Sequence, residues 1–329
     1  MALRALVTGG AGFIGSHVAD LLVGQGHSVT VVDDLSTGRR ENVPDAATFV
    51  LLDITSPDVA SLVRDGKFDV ILHHAAQMDV RKSVADPVFD GTVNILGTVR
   101  LMEAARKART HPRIVFASTG GVLYGDFVTP PNEESFAKDP ESPYAIAKLT
   151  SEYYLAYYAR VHGIDAVALR YGNVYGPRQN PHGEAGVVAI FCGRILDRLP
   201  LTVFGDGRQT RDYVFVADVA RAALMAGSAI LPPIGRLDAR AFNVGTGVGT
   251  SVLEIADALA RISGIRVPID HAPARLGEQQ RSFVSIHKAA AQLGWRPTVG
   301  LEDGLAMTYR WFAERHAPRA TSADAPVTI

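Results

Sequence analysis

The chain has 329 residues, of which 47% are hydrophobic and 20% are charged, and its formal net charge is −1. A chain of this size buries a large core in one or two domains, and its balanced charge argues against a nucleic-acid-binding or anionic-membrane-binding surface. The single cysteine, Cys192, excludes an internal disulfide framework and any multi-cysteine metal site, so we predict no bound metal and interpret Cys192 as a buried apolar residue.

The first residues run directly into an apolar strand pattern, with no basic segment and cleavage site typical of a signal peptide. No window approaches the roughly 18 uninterrupted apolar residues that a membrane helix needs. We therefore expect a cytoplasmic protein that binds neither membranes nor nucleic acid.

The first 175 residues alternate short apolar strands with amphipathic helices. The predicted strands are 2–8, 28–33, 48–53, 70–74, 113–118 and 166–170. The predicted helices are 14–25, 57–65, 91–109 and 143–162. This alternation predicts an α/β fold of the Rossmann type, a doubly wound parallel sheet with ligands at the carboxyl ends of the strands.

The composition of the chain changes at about residue 176, where prolines and glycines become frequent. Predicted helices at 187–198, 217–228, 251–263 and 301–314 accompany strands at 201–204 and 241–245. We interpret 1–175 as a dinucleotide-binding domain, to which parts of 205–250 return, and 176–315 as a smaller substrate lobe. The remainder, 316–329, is rich in Ala, Pro, Ser and Thr and is expected to be a mobile tail.

The first predicted strand leads into a glycine-rich turn at the start of a helix. Gly9 permits the tight turn, Gly12 lets a pyrophosphate approach the backbone, and Gly15 lets the helix pack closely on the strand. The second strand ends at Asp33, 18 residues after Gly15, where a carboxylate accepts the ribose hydroxyls of an adenosine. Asp34 follows it, and a carboxylate repels a 2′-phosphate, so the pattern favours NAD over NADP.

Two later strand ends belong to the same predicted site. Asp53 and Ile54 follow the third strand and are placed to meet the adenine. Ala75, Ala76 and Gln77 follow the fourth strand and are expected to run beneath the cofactor.

A second constellation pairs a phenol with an amine. Tyr144 and Lys148 are spaced i, i+4 on a predicted helix and share one face, while Ser118 and Thr119 end a predicted strand. Oxidation of a secondary alcohol requires removal of a proton from oxygen, and a tyrosine with a pKa of about 10 is a poor base at neutral pH. An ammonium and a positive nicotinamide would have to lower that pKa by ~3 units, worth ~4 kcal/mol. Thr119 or Ser118 would hydrogen-bond the substrate oxygen and relay the proton.

Taken together, these motifs resemble the extended short-chain dehydrogenase/reductases of the UDP-glucose 4-epimerase type, NAD-dependent epimerase/dehydratase enzymes. The resemblance extends from residue 3 to about residue 312. It includes Tyr144-x-x-x-Lys148 and, further along the chain, Arg170-Tyr171-Gly172-Asn173 and Arg211-Asp212-Tyr213.

The resemblance assigns roles to further residues. It implies cofactor contacts by Phe13, Ile14, Ser36, Thr37, Gly38, His74, Asn94, Tyr171 and Val174 in addition to those above. It implies substrate contacts by Val80, Arg81, Asn173, Val187, Val188, Val203, Arg211 and Arg275, besides Ser118, Thr119 and Tyr144. It also implies a homodimer formed through helices 91–109 and 143–162.

The activity implied by the resemblance is NAD-dependent 4-epimerisation of a UDP-sugar, of the UDP-glucose/UDP-galactose type, through a transient 4-keto intermediate that rotates and is reduced on its other face. UDP-glucuronic acid and UDP-N-acetylglucosamine are alternative substrates, and Arg81, Arg178 and Arg194 are candidate partners for a glucuronate carboxylate. A 4,6-dehydratase is disfavoured, because Gly120 and Gly121 follow Thr119 where dehydratases carry an acid and a base. A catalytically silent NAD-binding protein is disfavoured because Tyr144 and Lys148 are both present.

Overall fold

The computed structural model describes residues 2–181, 186–274 and 279–316. The elements of the first half are β1 (Arg4–Thr8), α1 (Phe13–Gly24), β2 (Ser28–Asp33), β3 (Thr48–Leu51), α2 (Val59–Gly66), β4 (Val70–His73), α3 (Val80–Ala85), α4 (Pro87–Gly91), α5 (Gly97–Lys107), β5 (Arg113–Thr119), α6 (Pro143–His162) and β6 (Ala166–Tyr171). A π-helical segment, Thr92–Leu96, joins α4 to α5, and 3₁₀ turns cover Arg40–Asn42 and Leu237–Arg240.

The second half contains shorter strands and four longer helices. Its elements are β7 (Asn173–Tyr175), α7 (Val187–Leu196), β8 (Leu201–Phe204), β9 (Thr210–Arg211), β10 (Tyr213–Phe215), α8 (Val216–Ser228), β11 (Ala241–Val244), β12 (Thr250–Ser251), α9 (Val252–Ser263), β13 (Ile269–Ala272), β14 (Arg281–Ser282), α10 (His287–Gln292) and α11 (Leu301–Glu314). None of the described helices combines the length and the apolarity required to cross a bilayer.

Seven strands form one sheet in the order β11-β6-β5-β4-β1-β2-β3, and every neighbouring pair is parallel. The order reverses between β1 and β4, which is where a doubly wound sheet opens a crevice for its ligand. The predicted Rossmann-type fold is therefore confirmed. β11 joins this sheet beside β6, although about 70 residues of chain separate them.

Alternating side chains of the strands supply two separate cores. Val7 of β1 packs with Leu22 of α1 and Ala222 of α8 on one face of the sheet. Leu6, its neighbour, packs with Leu101 of α5 and Leu155 of α6 on the other face. Because successive strand residues point to opposite faces, a parallel sheet covered on both sides needs this continuous apolar run.

A third core lies outside the main sheet. It is built by α7, α9 and α11 with β8, and its buried members include Phe191, Cys192, Val203, Leu259 and Leu305. The interpretation of Cys192 as a buried apolar residue is confirmed, and burial raises the pKa of its thiol to about 12. Three small sheets, β10-β7, β12-β9-β14 and β13-β8, lie outside the main sheet, and β7, β8 and β10 contribute Tyr175, Val203 and Phe215 to this core.

Several predicted boundaries were wrong by two or more residues, among them the start of the helix at 57–65 and the end of the helix at 187–198. Two others have clear local causes. The helix predicted at 91–109 begins earlier, as α4, because the Asp86 carboxylate accepts the Phe89 N–H and Pro87 suits the first turn. The strand predicted at 48–53 ends at Leu51, since the Asp53 carboxylate accepts the Thr55 N–H at 2.7 Å and starts a turn. The expectations for Arg275 and for the tail beyond residue 316 lie outside the described residues.

Candidate active site

The glycine-rich turn between β1 and α1 leaves no room for side chains at two positions. Gly9 has φ +68°, and a Cβ there would lie 2.6 Å from the Ala75 nitrogen. A Cβ on Gly15 would lie 2.2 Å from the Gly9 carbonyl oxygen. Gly12 precedes α1 without any side-chain cap, so the N–H groups of the first turn at Phe13 and Ile14 are aligned for an anionic ligand.

Asp33 fixes the neighbouring loop. Its carboxylate accepts the N–H groups of Ala11 at 3.0 Å and Leu35 at 2.8 Å. Burial raises the pKa of Asp33, and these hydrogen bonds oppose the rise. A Cβ on Gly38 would lie 2.7 Å from the Asp33 carboxylate, so the loop closes tightly over it.

The rest of this loop is a surface turn. The Asp34 carboxylate accepts both the N–H and the hydroxyl of Ser36, at 2.9 and 2.7 Å. Thr37 is exposed, and Ile54 is buried among α2 and α5. The side chain of Ile54 therefore supports the site from below, and any contact with a ligand would fall to its backbone.

A buried histidine, for which no role was predicted, ties the ends of β1 and β4 together. His73 Nδ1 lies 2.7 Å from the Thr8 hydroxyl, and His73 Nε2 lies 3.0 Å from the Thr98 hydroxyl. Because the Thr98 hydroxyl donates its own hydrogen to the Asn94 carbonyl, His73 must donate from Nε2 and accept at Nδ1. Burial lowers the pKa of His73 to about 3, which is consistent with this neutral tautomer. The position of this histidine at the end of an apolar strand is the feature of the sequence that could have indicated its structural role.

The segment after β4 is held by its own polar side chains. The side-chain NH₂ of Gln77 donates to the Asp79 carbonyl and to the Asp90 carboxylate, and the side-chain oxygen of Gln77 accepts the Asp79 N–H. Asn94 accepts the Gln77 N–H at 3.0 Å and donates to its carbonyl at 2.9 Å. The amides of Gln77 and Asn94 thus shape the loop at Ala75 and Ala76 rather than projecting freely into the crevice.

Tyr144 and Lys148 lie on one face of α6, as predicted. The helix begins where it does because Ser142 caps it, accepting the Ala145 N–H, and Pro143 occupies the first turn. Lys148 is buried, and its ammonium lies 5.8 Å from the centre of the Tyr144 ring and donates to the Ala117 carbonyl at 2.9 Å. The amine is therefore anchored to β5 beside the phenol.

Burial dominates the electrostatics of this pair. It raises the pKa of Tyr144, and the negative charge of Asp90 raises it further. It lowers the pKa of Lys148 to about 8, against the opposing effect of Asp90 and Glu152. Within the protein, then, the phenol is neutral, and positive charge is required to stabilise its phenolate.

The two hydroxyls at the end of β5 are not equivalent. The Ser118 hydroxyl donates to Glu152 at 2.5 Å, whereas no hydrogen bond of the Thr119 hydroxyl occurs among the described residues. Glu152 also holds Arg170, which is fully buried, through two oxygens with a shortest distance of 2.6 Å. This ionic cluster was not predicted, although Glu152 stands one turn beyond Lys148 on the same helix face.

Two residues expected to contact the cofactor or the substrate lie at the end of β6 and at the start of β7. Tyr171 is buried and stacks against His74, with its hydroxyl 3.2 Å from His74 Nε2. Asn173 lies against the turn after β5, since a Cβ on Gly121 would be 3.0 Å from its amide oxygen. Both residues therefore lie beside the carboxyl end of the strand that carries Ser118 and Thr119.

The other predicted substrate residues are more widely spread. Val188 and Val203 are fully buried in the third core, so their side chains face away from any open crevice. Arg211, in β9, donates to the Thr210 carbonyl at 2.9 Å. Half-buried or exposed positions are taken by Val174, Val187, Val80 at the start of α3, and Arg81 on α3. The predicted cofactor-binding and catalytic residues thus lie together around the crevice, whereas the predicted substrate contacts are more dispersed.

Comparison with known proteins identifies the wider group. Residues 5–245 match the model of the NAD dependent epimerase/dehydratase family. A UDP-glucose 4-epimerase of Mycolicibacterium smegmatis is 45% identical over 95% of this chain and 99% of its own length.

Solved structures of UDP-glucose 4-epimerases are also similar to this chain. The UDP-glucose 4-epimerase of Thermotoga maritima, determined with UDP-glucose, is 42% identical with a TM-score of 0.90, over 95% of this chain and 99% of its own. The UDP-glucose 4-epimerase of Thermus thermophilus, determined with NAD, is 44% identical with a TM-score of 0.87, over 94% and 99%. The predicted resemblance and the predicted NAD dependence are confirmed, and the chain belongs to the NAD dependent epimerase/dehydratase family.

Proposed function

We propose that the chain catalyses the NAD-dependent 4-epimerisation of a UDP-sugar of the UDP-glucose/UDP-galactose type through a transient 4-keto sugar. The observation that carries this proposal is the Tyr144–Lys148 pair, held beside the end of β5 in a chain whose relatives at 42–45% identity are UDP-glucose 4-epimerases.

The residues around the β1–α1 turn fit NAD. A Cβ at Gly9 or Gly15 would collide with the backbone, so glycine at these positions lets the turn and α1 pack closely. The first turn of α1 has no side-chain cap, so its N–H groups are available to a diphosphate. Asp33 offers a carboxylate to the adenosine ribose. When bound, NAD supplies the acceptor, and then the donor, of the hydride exchanged with the sugar.

The chain's own residues move the proton. Tyr144 takes it from the 4-hydroxyl through its phenolate oxygen and returns it once the sugar presents its other face. The buried ammonium of Lys148 stabilises the phenolate, because opposite charges in a poorly hydrated site interact strongly. Thr119 hydrogen-bonds the substrate oxygen, since Ser118 is already engaged by Glu152.

Dehydration is opposed by the turn after β5. Elimination of water needs an acid and a base there, and the chain has Gly120 and Gly121. A Cβ at Gly120 would lie 3.0 Å from the Arg170 carbonyl, so the neighbours would have to give way before a larger side chain fitted.

A neutral sugar is favoured over a glucuronate. Of the three arginines considered for a sugar carboxylate, Arg178 pairs with Asp20 at 2.6 Å, and Arg194 donates to the Pro200 carbonyl. Both cations are thereby engaged in structural contacts, which argues against these two as partners of a glucuronate carboxylate. Arg81, exposed on α3, is the third candidate.

The proposal also covers the domain organisation and the oligomeric state of the chain. Residues 1–175 with β11 hold the cofactor, and 176–315 form the sugar-nucleotide lobe. A homodimer forms through the predicted helices 91–109 and 143–162, and apolar side chains are exposed on α4, on the π-helical segment and on α6. These are Val88, Phe89, Leu96, Ile146, Tyr153, Tyr157 and Val161. Exposed apolar side chains on helices that pack against each other suit a second copy of the same chain.

The function is tested by incubating the purified protein separately with UDP-glucose, UDP-glucuronic acid and UDP-N-acetylglucosamine, and separating the products. We expect UDP-galactose to form from UDP-glucose, and no conversion by Tyr144→Phe. A 4-keto-6-deoxy product, or conversion of UDP-glucuronic acid alone, would overturn the proposal.

A further inference from the structure

Asp90 is a buried carboxylate that the mechanism above does not use. It lies in α4, directly before the π-helical segment, and is 1% exposed. One oxygen accepts the amide N–H groups of Gln77 and Asn94, each at 2.9 Å. Asp90 therefore joins the loop after β4 to the π turn that carries Asn94.

The second oxygen of Asp90 is buried and has no hydrogen-bond partner among the described residues. Leaving a buried carboxylate oxygen unpaired is costly, so a fold retains it where its charge has a use. α4 packs directly on α6, the helix that carries Tyr144 and Lys148. The Asp90 carboxylate is therefore near enough to act electrostatically on Tyr144 and Lys148.

We propose, on the basis of the function proposed above, that Asp90 is a positioning residue: one oxygen clamps Gln77 and Asn94, and the other supplies the fixed charge that keeps Lys148 protonated beside Tyr144. The hydrogen bond from Gln77 to Asp90 fixes the loop beneath the crevice. The negative charge of Asp90 sets the pH range in which the Tyr144–Lys148 pair is active.

The electrostatics of the surrounding groups support this assignment. Burial raises the pKa of Asp90, while the hydrogen bonds from Gln77 and Asn94 and the charge of Lys148 oppose that rise. Asp90 in turn opposes the fall that burial causes in the pKa of Lys148, and it adds to the rise that burial causes in the pKa of Tyr144. From α6, Glu152 also faces Lys148 but is neutralised by Arg170.

The other elements packed around Asp90 bring little competing charge. At the end of β4, His73 and His74 are neutral at pH 7, with pKa values of about 3 and about 4 because of burial. On α3, Lys82 lies over the Phe89 ring at the surface.

The test replaces Asp90 by Asn, which keeps an oxygen for both hydrogen bonds and removes only the charge. Asp86→Asn is the matched control: it lies in the same segment, is exposed, and still caps α4. The Tyr144 phenolate is titrated by ultraviolet absorbance in the NAD-loaded protein. The same titration in the corresponding Tyr144→Phe background subtracts the other nine of the ten tyrosines.

We expect Asp90→Asn to move the phenolate titration, and the alkaline limb of kcat, to lower pH by at least about half a unit. KM should change less than about twofold, because Asp90 does not touch the substrate. Asp86→Asn should reproduce the parent in both measurements.

Unchanged titration in Asp90→Asn would overturn the proposal. So would failure of that variant to fold, since the fold rather than the catalytic pair would then require the charge. The titration needs no turnover, so absence of epimerisation by the parent protein would remove the proposed function while still leaving the role of Asp90 measurable.

Discussion

The Ser118 hydroxyl donates to the Glu152 carboxylate at 2.5 Å and so belongs to the ionic cluster around Arg170. Thr119, the next residue, keeps a hydroxyl that is not engaged among the described residues. We expect Thr119→Val to lower kcat by about 10²-fold, the scale of a lost proton-relay contact, while Thr119→Ser retains most activity.

Ser118→Ala is the matched comparison. It leaves a buried carboxylate with one hydrogen bond fewer, so it should lower the free energy of unfolding by about 1–3 kcal/mol and affect kcat less than Thr119→Val. Steady-state kinetics and chemical denaturation separate the two effects. A larger loss of kcat in Ser118→Ala would transfer the relay to Ser118.

Removal of the phenol oxygen should stop the chemistry without releasing the cofactor. Tyr144→Phe keeps the ring beside Lys148, and we expect turnover to fall by at least about 10³-fold, because the substitution removes the group proposed as the base. NAD released by denaturing the purified protein should remain near one per chain. Turnover close to that of the parent would remove Tyr144 as the base.

The alkaline limb of activity should reflect Lys148. Burial lowers its pKa to about 8, so its ammonium form is complete below that pH and is lost above it. Phenolate stabilisation, and with it kcat, should decline as pH rises through about 8. Lys148→Arg keeps a cation that does not titrate in this range and should lose the decline, even if its maximum kcat is lower. An identical alkaline limb in both proteins would assign it to another group.

The sequence predicted the sheet and the paired residues well because both depend on local periodicity. The strands ending at Thr8, Asp33 and His73 are apolar runs bounded by turn residues, and the spacing of Tyr144 and Lys148 is a property of any helix. These features need no knowledge of distant parts of the chain.

What the sequence did not reveal depends on contacts between distant residues. Glu152 meets Ser118 across 34 positions, and His73 meets Thr8 across 65. β7 and β10 are three residues each and are defined only by their pairing with one another. α3 was missed as well, because six residues beginning after the Asp79 cap carry too little periodicity.

Cofactor selectivity should depend on the tight loop around Asp33. We expect NAD to bind more strongly than NADP, because a carboxylate at this position repels a 2′-phosphate. Gly38→Ala would press a methyl group against the Asp33 carboxylate, 2.7 Å away, and should weaken NAD binding by about tenfold with KM for the sugar nucleotide little changed. Calorimetric titration of both nucleotides measures this. Tighter binding of NADP than NAD would contradict the role given to Asp33.

The neutral His73 makes the protein sensitive to acid. Its pKa is about 3 in the folded protein and 6.5 ordinarily, so between these values the unfolded chain takes up a proton that the folded protein excludes. Stability from this group is complete above pH 6.5 and is lost progressively as pH falls toward 3. Each pKa unit is worth about 1.4 kcal/mol, so the loss amounts to several kcal/mol, and His74 adds to it with the same sign.

His73→Gln should reduce this acid dependence because an amide does not titrate. The substitution should also lower the free energy of unfolding by about 1–3 kcal/mol at neutral pH, because the glutamine amide cannot reach both the Thr8 and the Thr98 hydroxyls as the imidazole ring does. The free energy of unfolding, measured by urea denaturation across the acid range, gives both quantities. His287→Gln, at an exposed position in α10, should leave the curve unchanged. If His73→Gln kept the full acid sensitivity of the parent, the protonation of another buried group would have to cause it, and the neutral state inferred for His73 would lose its support.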